Sequence, residues 1–374
     1  MENLKVIVSG GGTGGHIFPA ISIANELRER FPQADILFVG ALGKMEMERV
    51  PAAGYSIVGL PVMGFPRKPS FRMLTFFLKL YRSMRLAKRV IDHFKPDVVI
   101  GVGGFASGPI LKAAVRKGVP AVLQEQNSYA GITNKLLAVD VDKICVAYPN
   151  MSRYFPPEKI VFTGNPIRKT LLESVLDKAE AFEYFKLRKE KPVVLVVGGS
   201  LGARSLNESV MANLDLIKNS DVQILWQTGS FYHKEMLARL GPDCPENLLH
   251  MEFISRMDLA YAIADVVVSR AGAGTISELC LLGKPSVLVP SPNVAEDHQT
   301  KNATTLVDNQ AALLIKDADS RMQLWLVTFK LLDDKSHLNS LSENIRKLGR
   351  PDAAKDIVDV IIDVVKRKRE NRLS

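Results

Sequence analysis

At 374 residues the chain is longer than one hydrophobic core usually serves, and its 47% hydrophobic and 24% charged residues are those of a soluble globular protein built as two domains. No uncharged apolar stretch approaches the ~18 residues of a membrane span. Met1-Glu2-Asn3-Leu4-Lys5 runs straight into a strand without the pattern of a secretory leader, and Cys145, Cys244 and Cys280 stand far apart with no C-x-x-C pair, which argues against a disulfide framework or a zinc site. The net charge of +9 belongs to one half: residues 1–165 hold 21 Lys and Arg against 12 Asp and Glu, leaving 28 against 28 for the remainder.

The first predicted element is a strand over residues 4–9. It runs into Gly10-Gly11-Gly12-Thr13-Gly14-Gly15-His16 and an amphipathic helix. Glycine lets such a loop take positive φ and turn several N–H groups onto an anion, with the positive end of the helix dipole behind them, so the loop is predicted to bind phosphate. Gly10, Gly12 and Gly15 satisfy the dinucleotide fingerprint, but the second predicted strand, residues 35–39, ends in Val39-Gly40-Ala41 where a ribose-binding acid should stand. NAD is therefore disfavoured. Five glycines in six positions exceed what a tight turn needs for packing, and His16 is the first residue after them able to move a proton.

Residues 65–95 hold nine basic side chains against one acid, Asp92. Met73, Phe76, Phe77, Leu80, Met84, Ala87 and Ile91 keep helical spacing, and Phe71, Leu74 and Leu78 widen the stripe. Such a segment reads either as a core helix with a solvated basic face or as a surface attracted to anionic lipid; no recognised motif accompanies the charge to suggest nucleic acid. Further strands are predicted over residues 97–101, 119–123 and 143–146.

The pattern restarts at residues 192–197, followed by a second glycine loop, Gly198-Gly199-Ser200-Leu201-Gly202-Ala203-Arg204. The predicted fold class is α/β: two Rossmann-like, doubly wound parallel-sheet domains facing across a cleft, with anion-binding loops on both walls. The expected division is residues 1–165, 166–349 and a terminal helix and basic tail, 350–374. Ile357, Val360, Ile361 and Val364 give that helix its apolar spacing, and it is expected to pack back across the junction.

Six segments in this order, Gly11-Gly12-Thr13-Gly14-Gly15-His16-Ile17-Phe18-Pro19-Ala20, residues 103–109, Glu125-Gln126-Asn127, residues 164–168, residues 198–203 and Ser269-Arg270-Ala271-Gly272-Ala273-Gly274-Thr275-Ile276-Ser277-Glu278, resemble the MurG family. The likeness runs from the first strand to about Ala303. It implies the GT-B fold and an inverting hexosyltransferase that moves N-acetylglucosamine from UDP-GlcNAc to the 4-hydroxyl of undecaprenyl-diphosphate-linked N-acetylmuramyl-pentapeptide, turning lipid I into lipid II in peptidoglycan synthesis, with roles in cell shape and division. No cofactor and no metal are implied, and no Asp-x-Asp metal clamp is present.

The resemblance also distributes roles. In the second half Ser200 and its loop, with Arg168, would contact the diphosphate; Ile254 would hold uracil through its backbone; Gly272, Ala273 and Thr275 would line the nucleotide wall; Glu278 would accept from the ribose hydroxyls; and Gln299 would reach the sugar. Family members often carry two adjacent glutamines where this chain has His298-Gln299, so one amide is available. A competing reading makes Thr275 and Glu278 a capping box. In the first half Gly12, Thr13, Gly14 and Gly15, with Gly103, Gly104 and Ser107, would share the acceptor diphosphate. His16 would be the general base, with Glu125 as the other candidate and Asn127 orienting the acceptor.

A lipid acceptor favours the membrane reading of residues 65–95, with Phe71, Phe76, Phe77, Arg72, Lys79 and Arg82 at the cytoplasmic face of the bacterial inner membrane, together with other cell-wall synthesis and division proteins. Two other readings remain: a GT-B transferase for another acceptor, and a non-catalytic UDP-sugar-binding scaffold.

Overall fold

The computed structural model describes residues 3–64, 72–168, 171, 177–241 and 244–373. It divides into two compact units, one formed by Met1–Arg168 with Arg350–Ser374 and the other by Lys169–Gly349.

The first unit contains a seven-stranded sheet in the order β3-β2-β1-β4-β5-β6-β7. Its strands are β1 (Lys5–Ser9), β2 (Asp35–Ala41), β3 (Ser56–Leu60), β4 (Val98–Gly101), β5 (Ala121–Glu125), β6 (Lys143–Val146) and β7 (Ile160–Phe162). All pairings are parallel. Because helices cover both faces of such a sheet, its central strands are apolar at nearly every position, as in Val6-Ile7-Val8 and Val98-Val99-Ile100. The crossovers include helices α1 (Gly14–Arg30), α2 (Glu46–Ala52), α3 (Arg72–Phe94), α4 (Ser107–Arg116) and α5 (Ile132–Leu137). The edge strands β3 and β7 escape the sequence reading, β7 being only three residues long and β3 interrupted by Gly59.

The terminal helix Ala353–Leu373 belongs to this unit. Ile357, Val358, Ile361, Val364 and Val365 are buried in the same core as Leu4, Ile23 and Leu27, and the half-buried Val360 packs against it, so Val358 and Val365 widen the expected apolar face. Arg30 pairs with Asp359, and Arg369 with Asp97 at 2.8 Å.

The second unit has a six-stranded parallel sheet, β10-β9-β8-β11-β12-β13, with β8 (Val193–Val197), β9 (Gln223–Gln227), β10 (Leu248–Met251), β11 (Val266–Ser269), β12 (Ser286–Leu288) and β13 (Leu313–Leu314). Each unit thus opens with a central strand and a glycine loop at its carboxyl end, where doubly wound sheets bind ligands.

On α3, Ser83, Ala87, Val90 and Ile91 are buried, while Leu74, Phe77, Leu78 and Tyr81 are 64, 55, 52 and 60% exposed. The core-helix reading of the stripe therefore holds only from Ser83 onward. Phe77 and Leu80 lie outside the core, and Phe76, half-buried, packs edge-on to Phe77 with ring centroids 5.4 Å apart. Lys79 is half-buried and Arg82 exposed, whereas Phe71 lies outside the described residues. No helix among the described residues is long and apolar enough to cross a membrane.

Candidate functional site

In the first unit the loop after β1 carries Gly12 at φ +89°, and Thr13, in extended conformation, precedes α1. The N–H groups of His16 and Ile17 donate to Thr13 O at 3.1 and 3.2 Å, so Thr13 starts the helix through its carbonyl. His16 is half-buried, with Nδ1 3.3 Å from Thr13 Oγ1.

The loop after β4 interlocks with this one. Gly103 and Gly104 have φ of +97° and +88°; a β-carbon on Gly104 would fall 2.4 Å from Gly11 O, and one on Gly103 would meet the His16 ring. Because β1 and β4 are neighbouring strands, their loops emerge side by side, and only glycine permits the approach. Ser107 corrects an expectation: its hydroxyl is fully buried and lies 2.9 Å from both Ser9 O and Gly103 O, so it donates into the chain rather than toward a diphosphate.

Glu125 also departs from its expected role. It is 2% exposed, and its two oxygens accept from Asn127 N and Nδ2 and from Gly131 N and Asn134 Nδ2. Burial pushes its carboxyl up, against the pull of these four hydrogen bonds. A group so enclosed organises the segment after β5, including Asn127, and offers no open face to a hydroxyl proton. Arg168 closes the first unit with its guanidinium 5.3 Å from the Phe18 ring centroid.

In the second unit Ser200 is exposed on the loop after β8, where Gly199 and Gly202 both have φ of +88°. Its carbonyl accepts from Ser230 N at 3.1 Å. The loop after β9 braces this one, since a β-carbon on Gly229 would stand 2.0 Å from Gly202 N. Ile254 is buried, and its N–H donates to Gln227 Oε1 at 2.9 Å while Gln227 Nε2 donates to Gly199 O at 3.0 Å. The Ile254 amide is therefore occupied by the chain itself, so of its backbone polar groups only the carbonyl suits the expected backbone contact.

Gly272 precedes the helix Ala273–Leu282 and no side chain caps it, so the capping box does not form. Thr275 lies within the first turn, and Glu278 Oε2 instead accepts from Tyr261 Oη at 3.0 Å. Gly272 and Gly274 face open space at this helix start. Gln299 is half-buried and its Oε1 accepts from Ser291 N at 2.9 Å.

Sequence reasoning missed Gln227 and Arg270. Arg270 donates to Val289 O, Pro290 O and Asp317 Oδ1, and to Ser205 Oγ, tying the ends of β11 and β12 to the helix that follows the glycine loop. The available signal was a charge two residues beyond the wholly apolar Val266-Val267-Val268. Among the described residues no cluster of His, Cys, Asp or Glu could hold a metal.

Comparison with known proteins agrees with this arrangement. Residues 6–146 match the glycosyltransferase family 28 N-terminal domain and residues 193–357 its C-terminal domain. The chain is 54% identical over 368 residues to the UDP-N-acetylglucosamine--N-acetylmuramyl-(pentapeptide) pyrophosphoryl-undecaprenol N-acetylglucosamine transferase of Parabacteroides distasonis, covering 98% of this chain and 100% of the relative. It is 50% identical over 369 residues to the transferase of the same name from Flavobacterium psychrophilum, covering 99% and 100%. The crystal structure of Acinetobacter baumannii MurG matches with a TM-score of 0.77 and 29% identity, over 96% of this chain and 99% of that one. A UDP-N-acetylglucosamine 2-epimerase, at 14% identity and a TM-score of 0.68, shares the fold alone. With both domain models matched in order and half or more of all positions identical to these two curated transferases, the chain belongs to glycosyltransferase family 28 and, within it, to the MurG family of the GT-B class.

Proposed function

We propose that the protein is an inverting N-acetylglucosaminyltransferase that moves GlcNAc from UDP-GlcNAc to the 4-hydroxyl of lipid-linked N-acetylmuramyl-pentapeptide diphosphate, converting lipid I to lipid II. The observation that carries this reading is the 54% identity over 368 residues to a transferase of that name.

The second unit takes the donor. The exposed Ser200 loop presents backbone donors to the diphosphate, joined by the Arg168 guanidinium; the Ile254 carbonyl receives uracil; Gly272, Ala273 and Thr275 form the nucleotide wall at a helix start; Glu278 accepts from ribose; and Gln299 donates to the sugar. The first unit takes the acceptor on the loops at Gly12–Gly15 and Gly103–Gly104, with Asn127 beside them. The acceptor 4-oxygen attacks the anomeric carbon as the bond from that carbon to the diphosphate oxygen breaks, and the configuration changes from α to β. His16 receives the hydroxyl proton, and UDP departs with the bonding pair, its charge met by amides, Arg168 and a helix dipole.

Leu74, Phe77, Leu78 and Tyr81, exposed on one helix and set among Arg82, Arg85 and Lys88, support peripheral attachment to an anionic membrane surface, on the cytoplasmic side where the lipid-linked acceptor is used. UDP release from UDP-GlcNAc, measured with and without a lipid-linked muramyl-peptide, tests the reaction. Release that depends on this acceptor is expected; equal release with an unrelated lipid, or none with either, would overturn the assignment.

A further inference from the structure

Glu46 opens α2 and is fully buried. Its carboxylate bridges two backbone amides: Oε1 accepts from Ala41 N at the end of β2 and Oε2 from Gly12 N in the phosphate-type loop, both at 2.9 Å. Two glycines make room for it. A β-carbon on Gly11 would lie 2.1 Å from Oε1, and one on Gly40 2.5 Å from Cγ.

In dinucleotide-binding sheets a carboxylate at this end of β2 accepts from the ribose of a bound nucleotide. Here the acid arrives from α2 and is turned onto the chain itself. It takes up the Gly12 N–H, engages that residue at φ +89°, and leaves the amides of Thr13, Gly14 and Gly15 to open α1. A buried carboxylate joined to backbone N–H groups makes charge-assisted hydrogen bonds, the strong kind, so the connection from β2 to the loop is stiff. Since Thr13 begins α1 and His16 lies in its first turn, any change at Gly12 is passed directly to the imidazole.

We propose that Glu46 is the positioning residue of the acceptor loop: by clamping Gly12 to the end of β2 it sets the direction of residues 13–16, including the His16 ring. This rests on the reading that the loop receives the acceptor diphosphate.

Glu46→Gln keeps the shape but sets an NH2 group against one of the two N–H donors, so one arm of the clamp is lost. Steady-state kinetics should show kcat/KM for the lipid-linked acceptor lowered by about 10- to 100-fold, with the KM for UDP-GlcNAc within about two-fold of wild type, because the donor roles lie in the other unit and on Arg168. Residue-resolved hydrogen exchange should show faster exchange at Gly12. Glu46→Asp, which keeps the charge on a shorter stem, should fall between the two. Acceptor-dependent protection of residues 10–16 in the wild type checks the underlying reading, and its absence would remove the loop from the acceptor site. If protection is seen while Glu46→Gln leaves acceptor kinetics and Gly12 exchange unchanged, the positioning role is overturned; equal losses toward donor and acceptor would overturn it too. Should Glu46→Gln fail to fold, unchanged Gly12 exchange in Glu46→Asp decides against the proposal.

Discussion

Gly103 lies directly against the imidazole of His16: a β-carbon there would stand 2.7 Å from Cδ2 and 2.8 Å from Nε2. At φ +97° the same position also resists any side chain through its backbone. Gly103→Ala should therefore displace the ring. If His16 is the base, His16→Ala lowers kcat by about 10²–10⁴-fold and Gly103→Ala by at least about ten-fold, both with the UDP-GlcNAc KM nearly unchanged. Near-normal turnover in His16→Ala would move the base elsewhere, and the enclosure of Glu125 already speaks against that residue as the replacement.

The carboxylate of Glu278 is held by Tyr261 Oη rather than by a helix cap. Glu278→Ala should raise the donor KM by an amount corresponding to roughly 1.5–3 kcal/mol, with kcat little affected, since ribose contacts need not change at the transition state. Tyr261→Phe removes only the orienting hydrogen bond and should raise that KM by a smaller factor. A Glu278→Ala enzyme with unaltered donor KM and a lower Tm would leave this carboxylate a purely structural partner of Tyr261.

Vesicle binding tests the exposed face of α3. Each Lys or Arg near an anionic bilayer contributes about 1 kcal/mol that salt screens, whereas inserted apolar groups add attraction that salt does not remove. Sedimentation with anionic vesicles should fall as ionic strength rises without vanishing. A Leu74→Ser/Phe77→Ser variant should bind vesicles more weakly at every salt concentration while binding UDP-GlcNAc normally. Since both side chains are already exposed, its Tm should stay close to wild type. Undiminished vesicle binding would remove this face from the membrane contact.

Lys284 supplies a pH dependence. Burial, reinforced by Lys178 and Arg346 and opposed by Asp265, lowers its ammonium to about 8, and Nζ donates to Ala264 O at 2.9 Å. Between about pH 8 and the ordinary lysine value near 10.4, the unfolded chain binds the proton that the folded chain has released, so this residue makes stability rise with pH across that window and fall as pH drops through 8. Urea unfolding at pH 7.5 and 9.5 should show a contribution on the order of 1 kcal/mol in wild type that disappears in Lys284→Met. An identical pH response in the two proteins would show that the ammonium is not desolvated in the fold.

Much of the fold was legible because the strands β1, β4 and β8 of these two-sided parallel sheets are short apolar runs that end at or just before glycine. Val6-Ile7-Val8 before Gly10 and Val193–Val197 before Gly198 marked both sheets and both loops. The edge strands β3 and β7 were not legible, since β7 is only three residues long and β3 is interrupted by Gly59. On α3, periodicity identified a helix but left open whether its apolar stripe, with Phe77 and Leu80, faced the core or an anionic lipid surface. Spacing alone reports which residues share a face, and the packing partner decides which face is covered.

The candidate site divides along the same line. Sequence alone pointed to residue types suited to the chemistry: glycine loops for phosphate and His16 to move a proton follow from local backbone freedom and functional groups, whereas Glu278 and Gln299 entered as what the family resemblance implies. Only the tertiary structure decided which of those groups remain available. Ser107 is consumed in part by the carbonyl of Ser9, 98 residues away, Glu125 by amides of the segment that follows it, the Ile254 amide by Gln227 from β9, and the Gly12 amide by Glu46, 34 residues away along the chain. A hydrogen bond between distant segments leaves no mark on the periodicity or composition of either one, and it forms only when the sheet has brought its strand ends together.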